Sequence, residues 1–326
     1  MAAVIDDFMR RQLVDRRNKL EEAVADSDAS AHLQHLLEEV DAALSRVENG
    51  SYGLCECCHD SIEPDRLIAD PLVRGCLDHL SRQERSALEQ DLELAARVQR
   101  GLLPPQNLVR RGWHICYHYD PAGPVSGDYC DVIDGGEAGL YFMVGDVSGK
   151  GVAASMLMAH LHAMFRTLMR AGLSLKGMLE HASRVFSEST LPSQYATLVC
   201  GRALANGKIE ICNAGHPAPL FLSDGNVRAL ETFNLPVGMF TNEEFSVSQL
   251  ELRLGDSLVI FSDGVSEALD DLGSEYGTER LCRLLQVKCS DASALIASCR
   301  DDLTSFRGRA SKIDDVTLFV LNRAAV

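Results

Sequence analysis

The chain has 326 residues, 46% hydrophobic and 24% charged, with a formal net charge of −16. That size suggests two domains and that balance an ordinary soluble globular protein, which excludes disordered and fibrous classes. The acidity, −9 over residues 1–80 alone, argues against binding nucleic acid through a phosphate-neutralising face. No apolar run reaches the roughly 18 residues of a bilayer span; Gly151–Phe165 comes nearest and carries His160 and His162, so no membrane association is expected. Met1–Gln12 mixes acids with bases and lacks a signal-peptide core, which predicts a cytoplasmic protein.

Ile5 to Val24 reads as an amphipathic helix, with Ile5, Phe8, Met9, Leu13, Leu20 and Val24 at helical spacing. Asp26–Ser30 offers a turn and N-cap residues to a second helix, whose Leu33, Leu37, Val40, Leu44 and Val47 repeat in a 4-3-4-3 rhythm. Asn49-Gly50 ends it, and two such stripes predict an antiparallel helical hairpin over residues 1–49. After a cysteine-rich segment (50–80), a third helix is predicted from Leu80 to Leu103, ended by Pro104-Pro105. Its Leu88, Leu92, Ala95, Gln99 and Leu102 keep the same rhythm, which suits either packing on its own domain or a parallel homodimer seam. This linker helix is assigned to residues 81–104. From 105 to 326 short β-rich runs (His114–Tyr119, Gly139–Val144, Ala196–Ala203, Lys208–Cys212, Leu220–Leu222, Ser257–Phe261, Val316–Leu321) alternate with helices at Ala153–Ala171, Leu175–Ser187, Thr278–Val287 and Ala292–Phe306. This is an α+β pattern, mainly antiparallel strands with helices set against them.

Eleven cysteines without a secretory signal do not suggest a disulfide framework. Four crowd into 22 residues, where Cys55 and Cys58 form C-x2-C and Cys76 and His79 form C-x2-H, 17 residues apart. Zn²⁺ takes four tetrahedral S/N ligands, and a two-residue gap lets one tight knuckle supply two. One structural zinc ion on Cys55, Cys58, Cys76 and His79 is therefore expected, with Cys57 and His59 as surplus donors. Tyr52–Cys55, Arg66–Pro71 and Cys76, following a helical hairpin, resemble the DksA/TraR zinc-finger family, with His79 in place of a usual cysteine. The resemblance implies RNA polymerase as a partner.

Downstream, aspartates sit beside glycines at strand ends: Gly127-Asp128, Gly145-Asp146-Val147-Ser148-Gly149-Lys150-Gly151, Ser262-Asp263-Gly264 and Asp314-Asp315. Taken singly each is a turn; together, four convergent carboxylates suit two hard divalent ions and phosphoryl chemistry. The glycine-rich loop mimics a phosphate loop, but Gly151 is followed by Val152, so nucleotide binding is not expected.

Asp128 with Tyr129–Asp131, GDVSGKGVAASMLMA (Gly145–Ala159), NAGHPAPL (Asn213–Leu220), SDGVSEA (Ser262–Ala268), EYGTERL (Glu275–Leu281) and DDVTL (Asp314–Leu318), preceded by LAARVQRGLLP (Leu94–Pro104), resemble the SpoIIE/RsbU branch of metal-dependent (PPM) protein phosphatases. The resemblance implies an α-β-β-α sandwich and two Mn²⁺ or Mg²⁺ ions on Asp128, Asp146, Asp263, Asp314 and the Val147 carbonyl, with Asp315 as the alternative to Asp314. It implies hydrolysis of a phosphoserine or phosphothreonine protein by a hydroxide bridging the metals. The implied substrate is a phosphorylated STAS-domain anti-anti-sigma factor of partner switching, and the implied regulator is the N-terminal zinc-finger module. The family's frequent histidine two residues after the equivalent of Asp146 is Ser148 here, which leaves leaving-group protonation to metal-bound water. No motif anchors a phosphate-binding arginine. His216 reads as a turn residue shaped by Asn213 and Gly215, and His160 and His162 as packing residues. The rival reading is a catalytically silent phosphatase fold serving a polymerase-binding module.

Overall fold

The computed structural model describes residues 10, 13–14, 16–21, 31–63, 66–67, 70–80, 82–191, 193–231, 234–240, 244–286 and 291–324. The chain forms two compact units, Met1–Asp91 and Leu92–Val326.

In the first unit residues 16–21 are helical and α1 spans Ala31–Glu48. Leu13, Val40 and Ala43 make a small core flanked by Leu20, Leu44 and Val47, and Arg17 Nε donates to Asp41 Oδ1 at 2.6 Å. The expected turn at Asp26–Ser30 lies outside the described residues, as does much of the first predicted helix. A second small core gathers Cys55, Ile62, Leu67, Val73 and Cys76. Helix α2, Arg82–Leu102, carries the boundary between the units.

The second unit has two antiparallel sheets. One has six strands in the order β1-β2-β11-β10-β7-β8 and the other five, β3-β4-β5-β6-β9. The first comprises β1 Asn107–Arg110, β2 Trp113–Asp120, β7 Leu220–Ser223, β8 Asn226–Ala229, β10 Ser257–Phe261 and β11 Val316–Arg323. The second comprises β3 Asp128–Asp134, β4 Leu140–Val147, β5 Ala196–Ala203, β6 Lys208–Ala214 and β9 Ser248–Glu251.

Strand alternation sorts side chains between layers. Leu140, Phe142 and Val144 of β4 meet Phe319 and Leu321 of β11 and Ile115 of β2 in the inter-sheet core. Tyr141 and Met143, one residue out of phase, face helices α3 (Gly151–Leu168) and α4 (Leu175–Ser189). On the other outer face α6 (Thr278–Leu285) and α7 (Ala292–Arg307) cover Leu318 and Val320. The result is an α-β-β-α sandwich. It contains elements the sequence reading passed over: the edge strands β1, β8 and β9, the acid-rich β3, and the single-turn helix α5, Asp263–Ser266.

Candidate functional site

Two clusters of chemistry-bearing side chains stand out, one in each unit. In the first unit, the ligand atoms of Cys55, Cys58, Cys76 and His79 all lie within 4.8 Å of one another, the one His/Cys/Asp/Glu grouping of three or more that is this close among the described residues. Cys58 Sγ is 3.7 Å from Cys76 Sγ, and Cys76 Sγ is 3.2 Å from His79 Nδ1. Backbone N–H groups of Cys76 and Cys58 are directed at Cys55 Sγ and pull its pKa down to about 6, while Cys58, desolvated and with its thiol hydrogen-bonded to Cys55 and Cys76, is pushed up to about 12, so without an ion the thiols share protons. Cys57 is exposed, and His59 takes a left-handed backbone with φ of 60°, so the surplus donors shape the knuckle from outside the group of four. Three sulfurs and one nitrogen at this spacing fit a closed tetrahedral metal site.

In the second unit the aspartates meet at one end of the sandwich, where β3 starts, β4 ends, β10 ends and β11 starts. Antiparallel register places Asp128 directly opposite Asp146 and Asp146 opposite Thr197. All three therefore point to the inter-sheet side. Asp128 is buried; its backbone N–H donates to Ser126 Oγ at 3.0 Å, and one carboxylate oxygen accepts from Thr317 Oγ1 of the facing sheet. Asp146 Oδ1 and the Val147 carbonyl oxygen both lie against Gly127, where a β-carbon would stand 3.1 and 3.0 Å from them.

Asp263 follows β10 as the first residue of α5. Close approach is required there, because a β-carbon on Gly264 would drive into the Asp315 carbonyl oxygen. The Ser262 hydroxyl accepts from the Thr317 N–H at 2.9 Å, which welds the Asp263 turn to the strand that follows Asp314. Neighbouring Asp314 and Asp315 differ sharply. Asp315 accepts from the Ala122 N–H at 2.6 Å and the Gly127 N–H at 3.0 Å, so both its oxygens hold the loop that crosses between the sheets. Asp314 instead faces the glycine-rich loop, its Oδ2 accepting from Lys150 Nζ at 2.8 Å and its Oδ1 from the Asp315 N–H at 2.9 Å.

The electrostatics follow from this crowding. Burial and then Asp146 push the Asp128 carboxyl well above its ordinary range. Burial, Asp263, Asp314 and Asp315 push Asp146 up to about 7, and burial and Asp314 raise Asp263. Oxygen donors that repel one another in this way form a site short of positive charge, which suits hard divalent cations.

Several polar residues of the second unit work behind the carboxylates. Buried Gln99 of α2 grips Ser126 at both ends, its Nε2 donating to the Ser126 carbonyl at 2.6 Å and its Oε1 accepting from the Ser126 N–H at 3.0 Å. This seats Gln99 on its own domain, and the large exposed apolar residues of α2 are Leu88, Leu94 and Val98. Ser148 is locked to Tyr195, its hydroxyl accepting and its N–H donating at 3.0 and 2.9 Å. His216 sits in the turn expected for it, its N–H donating to Asn213 Oδ1 at 2.8 Å, and it also meets Thr197 Oγ1 through Nδ1 at 2.9 Å. Burial lowers its pKa to about 3, so the ring is neutral. His160 stacks on Phe186, while His162 lies 3.7 Å from fully buried Asp131, which Arg166 holds with two bonds of 2.9 Å. The Asp131 cluster was missed by sequence reasoning; an acid at a position of β3 whose neighbours are apolar was the available signal.

A family model described as Stage II sporulation protein E (SpoIIE) matches residues 136–324, which carry Asp146, Asp263 and Asp314 in the geometry above. The chain belongs to the SpoIIE family. The SpoIIE match begins after Asp128, and the first unit lies outside it. Among known relatives, the phosphoserine phosphatase RsbU of Bacillus subtilis (strain 168) is 26% identical over 239 residues, covering 72% of this chain and 71% of RsbU. Protein IcfG of Synechocystis sp. is 27% identical over 267 residues, covering 72% of this chain and 41% of IcfG. The chain thus spans well under two thirds of IcfG. A crystal structure of the RsbU and RsbW domains of Rv1364c from Mycobacterium tuberculosis superposes with a TM-score of 0.57 at 28% identity, covering 68% of this chain and 62% of that one. The SiaA-PP2C domain of Pseudomonas aeruginosa shares the fold with a TM-score of 0.64 at 18% identity, covering 73% and 97%. Among the described residues no helix is long and apolar enough to cross a membrane.

Proposed function

We propose that this chain is a metal-dependent protein serine/threonine phosphatase whose ion ligands are Asp128, Asp146, the Val147 carbonyl, Asp263 and Asp314. The observation that carries this reading is the convergence of four aspartates from both sheets onto one end of the sandwich, with three of their pKa values raised. Bound there, two Mn²⁺ or Mg²⁺ ions would supply an activated water and neutralise the phosphoryl oxygens. The protein's part is placement. Thr317 and Ser126 fix Asp128, strand register fixes Asp146 beside it, the Gly264 turn presents Asp263, and Asp315 braces the loop before Asp128 while its own N–H orients Asp314. Ser148 Oγ accepts from the Tyr195 N–H, which fixes the glycine-rich loop, and with no histidine at this position the leaving serine oxygen would take its proton from water.

The names of RsbU and RsbP, phosphoserine phosphatases of Bacillus subtilis (strain 168), support a phosphoserine substrate, and a phosphorylated STAS-domain protein of the partner-switching type is our specific choice. For the first unit we propose one structural zinc ion on Cys55, Cys58, Cys76 and His79, within a module that regulates the phosphatase. Phosphate release from p-nitrophenyl phosphate and from a phosphoserine STAS protein, with and without Mn²⁺, tests the enzyme reading. Metal-dependent turnover lost in Asp263→Asn is the expected result; turnover that survives this substitution sinks the assignment.

A further inference from the structure

The phosphatase reading brings an anionic phosphoryl group into a site built from aspartates, so positive charge beyond the ions bears on substrate binding. Among the described residues, Lys150 is the one Lys, Arg or His in ion-pair contact with Asp128, Asp146, Asp263, Asp314 or Asp315. Its ammonium donates to Asp314 Oδ2 at 2.8 Å and to the Ile313 carbonyl at 2.8 Å. An ammonium has three donors, and these contacts use two.

Placement distinguishes Lys150 from the packed floor of the site. Its side chain is 65% exposed, against 35% for Asp314. Flanking Gly149 and Gly151 have φ of 99° and 72°, and nothing lies within 4 Å of where their β-carbons would be, so the loop is bare on both sides. Exposed ion pairs hold weakly. The Asp314 contact can therefore be exchanged for another anion at little cost, which a lysine kept only to brace the 311–315 loop would not need.

We propose that Lys150 is the substrate-binding cation of this centre, its ammonium donating to a phosphoryl oxygen of the phosphomonoester. The inference rests on the phosphatase reading but can fail separately from it. The test uses the full chain loaded with Mn²⁺, with calorimetric binding of inorganic phosphate and KM and kcat on p-nitrophenyl phosphate. Loss of one charge-assisted hydrogen bond predicts that Lys150→Ala weakens phosphate binding and raises KM by about tenfold to a hundredfold, with a smaller change in kcat. Lys150→Arg should keep most of the affinity, and Mn²⁺ binding to the phosphate-free Lys150→Ala chain should be no weaker than in wild type. Unchanged phosphate affinity in Lys150→Ala overturns the proposal, as does a loss that follows from weakened Mn²⁺ binding. A wild-type chain that binds phosphate but hydrolyses no ester refutes the phosphatase reading, and the calorimetric comparison still decides the role of Lys150.

Discussion

The two candidate metal centres are built on opposite principles. The Cys/His group draws its four ligands from 25 consecutive residues, Cys55 to His79, around a core of only a few side chains. The aspartates span Asp128 to Asp314, and the register of two sheets brings them together. Soft ligands already in mutual contact on a thin scaffold form a centre whose ion makes the fold. Repelling carboxylates on a deep scaffold form one whose fold holds the ions. Position in sequence, core size and ligand charge all change together between the two.

That contrast can be broken, and the Cys/His centre, with the zinc proposed for it, offers the largest effect. Structural zinc ions contribute about 10 kcal/mol to small folds, so Cys76→Ser should release one zinc per chain and abolish amide-exchange protection in residues 51–80. Chelating that zinc with Mn²⁺ kept saturating should also change turnover, and unchanged turnover would remove the regulatory role. Next comes Asp146→Asn, expected to cost about a thousandfold or more in Mn²⁺-dependent turnover. The same substitution should leave the metal-free melting temperature unchanged or higher, since it deletes a repelling charge; a marked drop would mean this centre, too, is needed for folding. Gln99→Ala leaves the buried Ser126 N–H and carbonyl unpaired and should cost about 2 kcal/mol in denaturant unfolding, with weaker Mn²⁺ binding as the loop before Asp128 loosens.

The smallest effect is with pH. Because Asp146 has a pKa of about 7 when folded, above its ordinary 3.8, the metal-free native state binds a proton that the unfolded chain has lost. That contribution to stability is fully present below about pH 4 and is lost as pH rises to 7. Mn²⁺ must displace the same proton, so its affinity should rise by up to about tenfold per unit toward pH 7 and then level off. Calorimetry in buffers of different ionisation enthalpy reads both the affinity and the released proton, and a flat profile would contradict the crowding described for Asp146.

The legibility of each part followed the range of its physics. Knuckle spacing in Cys55–Cys58 and Cys76–His79 is local, so the group of four could be read directly. The aspartate positions were visible because each sits beside a glycine or a second aspartate at a strand end; periodicity gave only antiparallel strands with helices against them, and the sandwich was implied by the family resemblance that the motifs carry. What stayed hidden depended on partners distant in sequence. Gln99 fitted a seam pattern, and nothing in its own helix indicates that it would clamp Ser126. Asp315 read as an alternative to Asp314, and nothing local indicates that its two oxygens would accept from the Ala122 and Gly127 N–H groups. The edge strands β1, β8 and β9 are short and mostly exposed, so they lack the apolar alternation by which strands are recognised.

One feature of the topology bears on when this site can exist. Strand β11 is later in the chain than every other described strand, yet it lies between β2 and β10 and follows directly on Asp314 and Asp315. Until it emerges during synthesis, the six-stranded sheet is split into two fragments and Asp128 lacks its Thr317 partner. Pairing across so long a sequence separation also forms slowly. Translation therefore sets when this centre can form: a nascent or truncated chain ending before β11 carries all four aspartates but lacks the strand that joins the two sheet fragments behind them.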